Sequence, residues 1–92
     1  MKPVKMMILA SCPHCRRALR MMDQLKADHP EYEKVQVEII EEDLHPEIAD
    51  RLDYYYVPTF YVGEEKVHEG VPSMEAVEEV FEKALEYEKE YR

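Results

Sequence analysis

A chain of 92 residues has room for one small domain, residues 1–92, because a domain of this size buries only a little over about 60% of the surface its unfolded chain exposes. Apolar residues make up 46% of the chain and glycine occurs twice, which excludes collagen-like, low-complexity and wholly disordered chains. The formal charge of -9 argues against a nucleic-acid or anionic-membrane partner, yet residues 1–27 carry six Lys or Arg against one Asp, while residues 28–92 carry six against twenty acids.

In chain order, the longest apolar run is residues 6–10, too short for a membrane span or for a signal-peptide core of roughly 7 to 15 residues. The protein is therefore expected to be cytoplasmic, where thiols stay mostly reduced. Residues 4–10 are apolar nearly throughout, as a central strand buried on both faces requires. From Pro13 the period changes. Ala18, Met21, Met22 and Leu25 form a helical stripe opposite Arg16, Arg20 and Asp23, and His29-Pro30 ends that helix. Val35, Val37 and Ile39 alternate with Gln36 and Glu38, which predicts a strand with the three apolar side chains on its core face, closed by Glu41-Glu42-Asp43.

Pro46 suits a first helical position, and Ile48, Ala49 and Leu52 give residues 46–53 a short apolar face of one or two turns. Residues 59–62 and 66–69 flank Gly63-Glu64-Glu65, an antiparallel hairpin signal. Ser73 is a candidate N-cap for a long closing helix whose core face is Met74, Val77, Val80, Phe81, Ala84 and Leu85. Its outer face runs acidic to Glu90, with Lys83 placed to pair with Glu79 and Lys89 with Glu86. The order of elements is β-α-β-α-β-β-α, without repeat or linker.

Cys12 and Cys15 fall at the junction of the first strand and first helix. In a reducing compartment two cysteines at this spacing are catalytic or metal-binding rather than a staple. At a helix start one sulfur lies over unsatisfied backbone N–H groups and the positive end of the helix dipole, both of which favour its thiolate. Cys12 is that sulfur. Cys15, on the same side but deeper, is placed to attack a mixed disulfide formed at Cys12. Pro13 fits the first turn, and a protonated His14 acts with Arg16 and Arg17 to lower the Cys12 pKa, at roughly 1.4 kcal/mol per unit. The alternative is half a zinc site completed by His14, His29, His45 or His68, but no second paired-ligand motif is present.

Cys12-Pro13-His14-Cys15, with Val57-Pro58-Thr59-Phe60-Tyr61-Val62, then Gly63 and Glu69-Gly70, resembles the thioredoxin-fold superfamily along essentially the whole chain, closest to its glutaredoxin and glutaredoxin-like branch. The resemblance implies an α/β, thioredoxin-like (glutaredoxin-type) fold, a four-stranded mixed sheet flanked by helices. It also implies a thiol-disulfide oxidoreductase with Cys12 as nucleophile and Cys15 as resolving thiol. Pro58 should then be cis and face the cysteines, and the Val57 backbone should pair with a bound thiol peptide. The first-strand position where thioredoxins proper carry a buried carboxylate is Met6, and the chain has no Trp. The Pro-His middle pair resembles strongly oxidising members of the superfamily and is expected to raise the potential.

The glycine-rich acidic motif with which glutaredoxins hold glutathione is replaced by Glu69-Gly70-Val71-Pro72-Ser73-Met74. That leaves Gly70, Ser73 and the helix N-terminus to capture the carboxylate, with Arg16 attracting an anionic thiol. Of Tyr54, Tyr55 and Tyr56, the last is expected to wall the groove and at least one other to pack. His29, His45 and His68 are expected at the surface or at caps. The partners implied are glutathione, as candidate reductant, or protein disulfides, with no tightly bound cofactor or metal, no nucleic acid and no membrane, in a monomer. The rivals are a thioredoxin-like protein disulfide reductase recharged by a flavoprotein reductase, and a non-enzymatic zinc-binding or redox-sensing module.

Overall fold

A computed structural model describes residues 1–89, with side chains through residue 86. The amino-terminal apolar run forms β1 (Val4–Ile8), which is almost wholly buried because both faces of its sheet are covered. The remaining elements are α1 (Pro13–Asp28), a 3-10 turn (Pro30–Lys34), β2 (Val37–Glu41), α2 (Pro46–Ala49), β3 (Thr59–Val62), β4 (Glu65–Glu69) and α3 (Met74–Lys89). The strands lie in the order β2-β1-β3-β4, with β1 parallel to β2 and antiparallel to β3, and β3 antiparallel to β4. This is the mixed four-stranded sheet that the resemblance implies.

Alternation along β1 divides the core in two. Val4, Met6 and Ile8, with Phe60 and Val62 of β3, meet Ala18, Met22 and Leu25 of α1 and Val77, Val80, Phe81, Ala84 and Leu85 of α3. Met7, Ile40 and Tyr61 form the opposite face, covered by Ile48, Ala49, Leu52 and Tyr54. Burying each such large apolar side chain stabilises the fold by about 1.5–3 kcal/mol relative to leaving it exposed.

Several local expectations change. β1 stops at Ile8 rather than residue 10, because the Leu9 carbonyl accepts the Cys12 N–H at 3.0 Å and turns the chain toward α1. In β2, Ile39 is 49% exposed although it shares a face with Val37, while Ile40 is buried on the other side. β2 is an edge strand, so only part of its length is roofed. The helix over 46–53 is a single turn, Pro46–Ala49. The hairpin turn is the two residues Gly63-Glu64, where Gly63 takes φ +60 and donates its N–H to Pro3.

The 3-10 turn was not legible in the periodicity. It buries Tyr32, whose ring stacks on Phe81 with centroids 4.7 Å apart and planes at 6°, and whose hydroxyl donates to Glu82 Oε2 at 2.7 Å. Ser73 is the N-cap as expected, its Oγ accepting the Ala76 N–H at 3.1 Å. Lys83 pairs with Glu65 of β4 at 3.0 Å instead of with Glu79, because that side of α3 packs over the hairpin. The Glu86–Lys89 pair lies outside the described side chains. Among the described residues no helix is long and apolar enough to cross a membrane.

Candidate active site

Cys12 is the N-cap of α1, with extended backbone at φ -82 and ψ 118, and Pro13 occupies the first helical position, where its missing N–H costs nothing. The Cys12 carbonyl accepts the N–H groups of Cys15 at 3.1 Å and Arg16 at 3.2 Å, so the helix begins at the nucleophile candidate itself. One turn in, Cys15 faces the core at 1% exposure, while Cys12 is half-buried at the rim; both thiols are free.

The surroundings drive the two thiols apart. The Cys12 pKa is lowered, first by the Cys15 backbone N–H; burial opposes this, and the Cys15 thiol, the His14 N–H and the Arg16 charge lower it further. Burial dominates at Cys15 and pushes it up to about 11, with the Cys12 sulfur and the Glu42 carboxylate acting in the same direction. Arg16 is held beside the loop by a 3.1 Å bond from Nη1 to the Ala10 carbonyl.

Across from the cysteines stands the Val57–Pro58 bond, which is cis. The Cys12 Sγ lies 4.0 Å from the Val57 carbonyl oxygen, toward which the thiol donates. His14, Tyr56, Val57, Gly70 and Val71 line a groove of about 360 Å³ beside this pair. Gly70 takes φ +97, a region that side chains rarely adopt, and donates its N–H to the Pro58 carbonyl at 2.9 Å. His14 Nδ1 is buried and makes no hydrogen bond among the described residues.

The segment entering Pro58 is tied to β4. Glu69 Oε2 accepts the Tyr56 N–H at 2.9 Å and also the Tyr55 N–H, while Oε1 pairs with Lys66 Nζ at 2.9 Å. Lys66 Nζ and the Tyr61 hydroxyl both donate to the Asp53 carbonyl, at 2.9 and 3.0 Å, and the Thr59 hydroxyl donates to the Tyr56 carbonyl. The Tyr55 N–H first, then the Lys66 ammonium and the Tyr56 N–H, hold the Glu69 carboxyl down at about 2.

Of the site residues read from the sequence, Cys12, Cys15, Pro13, His14, Arg16, Tyr56, Val57, Pro58 and Gly70 converge on this end of the fold. Ser73 does not line the groove, and its hydroxyl is committed to capping α3. Tyr54 is the packing member of the tyrosine run, donating its hydroxyl to Glu42 Oε1 at 2.7 Å, whereas Tyr55 is 87% exposed. His29 lies 3.5 Å from Glu78 on α3, His45 lies 3.6 Å from Glu47, and His68 Nε2 bonds the Val71 carbonyl at 2.9 Å. Glu69, Val71 and Thr59 stand in the segments that carry the resemblance, but nothing in the sequence assigns them a role at the site. Glu69 stands 13 and 14 positions from the amides it binds, and no local periodicity connects them.

A family model described as a thioredoxin domain matches residues 2–82. Among solved structures the chain is similar to that of a malarial protein, with a TM-score of 0.66 and 15% identity over 89% of this chain and 94% of the other. It is also similar to the solution structure of the oxidised thioredoxin from Plasmodium falciparum, with a TM-score of 0.65 and 19% identity over 87% of this chain and 77% of the other. A search of curated proteins gives no match.

Proposed function

The chain belongs to the thioredoxin domain family, and on that premise we propose that it is a dithiol–disulfide oxidoreductase in which Cys12 attacks and Cys15 resolves. The observation that carries this reading is the pair of thiols at one helix start, the outer one lowered in pKa and 4.0 Å from the Val57 carbonyl, the inner one buried and raised. Cys12 reacts as the thiolate with one sulfur of a substrate disulfide. The substrate S–S bond breaks as the Cys12–substrate disulfide forms, and the departing sulfur leaves as a thiolate. That thiolate is basic enough to take up a proton, and Cys15 must lose one before it attacks Cys12 Sγ. The second exchange releases the remaining substrate thiol and leaves a Cys12–Cys15 disulfide, so two electrons pass to the substrate. An external dithiol, or two monothiols, returns them.

The groove favours a disulfide carried on a peptide. Its walls are Tyr56, Val57, Gly70 and Val71 with His14, and the Val57 backbone beside Cys12 suits an extended chain laid alongside. The second reading, a mixed disulfide of glutathione, is supported by Arg16, held at the thiolate's end of α1. The commitment of the Ser73 hydroxyl to capping removes one group that would take the glutathione carboxylate. Two assays separate the readings: insulin reduction with thioredoxin reductase, and turnover of a glutathione mixed disulfide with glutathione. Faster turnover in the first is expected. Cys12→Ser should reduce both to background, and activity surviving that substitution would end the proposed mechanism.

A further inference from the structure

Residues 53–58 enter the cis peptide bond without regular secondary structure, so their backbone groups must be satisfied from elsewhere. Thr59 and Tyr61 of β3 take the Tyr56 and Asp53 carbonyls, and β4 takes the amides before Val57. Glu69 accepts two successive amides, Tyr55 and Tyr56, on a single carboxylate oxygen, and its other oxygen binds Lys66, which in turn holds the Asp53 carbonyl. The next residue, Gly70, ties the far side of the bond through the Pro58 carbonyl. We propose that Glu69 is a positioning residue for substrate: from β4 it fixes the backbone that presents Val57 and the Tyr56 ring to a peptide disulfide arriving at Cys12. This role rests on the proposed function above.

Three features make it more than a surface contact. Both bonded amides belong to the residues immediately before Val57, so a shift there moves the Val57 carbonyl relative to the Cys12 sulfur. The bonds are charge-assisted, the stronger class of hydrogen bond, and the carboxyl is held ionised far below the ordinary carboxylate range. The groups that lower the Cys12 pKa, the Cys15 and His14 N–H groups, the Cys15 thiol and the Arg16 charge, belong to α1 and not to β4, so docking and thiolate reactivity can be read separately. The charged and titratable groups facing Glu69 are Lys66 of its own strand and, more distantly, Tyr61 of β3.

The test compares the unmodified protein with Glu69→Ala, Glu69→Gln and Lys66→Met, using insulin as the peptide disulfide and bis(2-hydroxyethyl) disulfide as a small one that needs no backbone pairing. For Glu69→Ala, KM for insulin should rise about 10-fold, with kcat within about two-fold and both constants for the small disulfide within about two-fold. The alkylation profile of Cys12 should not move, and the Tyr55 and Tyr56 amides should exchange with solvent at least about 10-fold faster. Glu69→Gln keeps an acceptor oxygen and should fall between Ala and the unmodified protein. Where Glu69→Ala lowers stability, Lys66→Met decides, since it removes only the Oε1 pair and the Asp53 bond and should raise KM for insulin by a smaller factor. An insulin KM unchanged in Glu69→Ala, or an equal loss on both disulfides, overturns the positioning role alone. Failure of the unmodified protein to turn over either disulfide overturns the proposed function and this role with it.

Discussion

Cys12 and Cys15 are one helical turn apart and titrate in opposite directions because one sulfur sees amide N–H groups and a cation while the other sees the core. Alkylation should therefore be biphasic in pH. The fast phase, at Cys12, should have its midpoint below the free-cysteine value of about 8.5, and the slow phase should rise only toward about 11. Arg16→Ala should move the fast midpoint upward, because the guanidinium held on Ala10 favours the thiolate, and leave the slow phase in place. An unmoved fast midpoint would assign the whole shift to the helix start. The two cysteines were legible from spacing and from the change of period at Pro13, since helix N-terminal chemistry is local. Glu69 was not, because its partners meet it only after the hairpin folds back.

At the scale of elements, β4 and the segment before Pro58 share the Glu69 carboxylate, and this coupling has a sign. Folding depresses the Glu69 pKa, so its contribution to stability is fully present above the unfolded value of about 4.3 and is lost as pH falls through about 2. The Tyr56 amide resonance should titrate with a midpoint near 2 rather than near the ordinary carboxylate value. Denaturant midpoints should fall between pH 6 and pH 3 less steeply in Glu69→Gln than in the unmodified protein; parallel curves would mean that the carboxylate adds nothing to the fold. Elements with strong periodicity, α1 and α3, followed directly from the sequence. The 3-10 turn did not, since Tyr32 is buried by stacking on a helix fifty residues away, a contact that no short window contains.

For the whole molecule, a chain this short depends on few large side chains. Phe81 is 1% exposed, stacked on Tyr32 and seated in the core between the sheet and the helices. Phe81→Ala should cost about 3–5 kcal/mol, against a total of roughly 5–15 kcal/mol for a small domain, and should be read as a lowered denaturant midpoint with an unchanged slope. A loss under about 1 kcal/mol would show that the core repacks freely. The charge asymmetry also acts at this scale. Arg16, Arg17 and Arg20 lie on α1 with the cysteines, while the body carries the acidic excess. Reaction of Cys12 with an anionic disulfide should slow as salt rises from 10 mM to 300 mM, because a Debye length of about 30 Å contracts to under about 8 Å, while a neutral disulfide is unaffected. Equal salt dependence would place the acidic body, not the basic helix, in control.

The sequence by itself determined the order of elements, the helix start at Cys12 and the cap at Ser73, because each depends on residues within a turn or two of one another, and the family resemblance, because it rests on short motifs that can be read one by one along the chain. Tertiary structure alone decided that Ile39 is left at an open edge, that Tyr32 stacks on Phe81 and that Glu69 holds the irregular segment before Pro58. Those depend on which strands become neighbours and which faces are roofed. Pairing across a sheet joins groups distant in the chain, and no pattern along one segment encodes it.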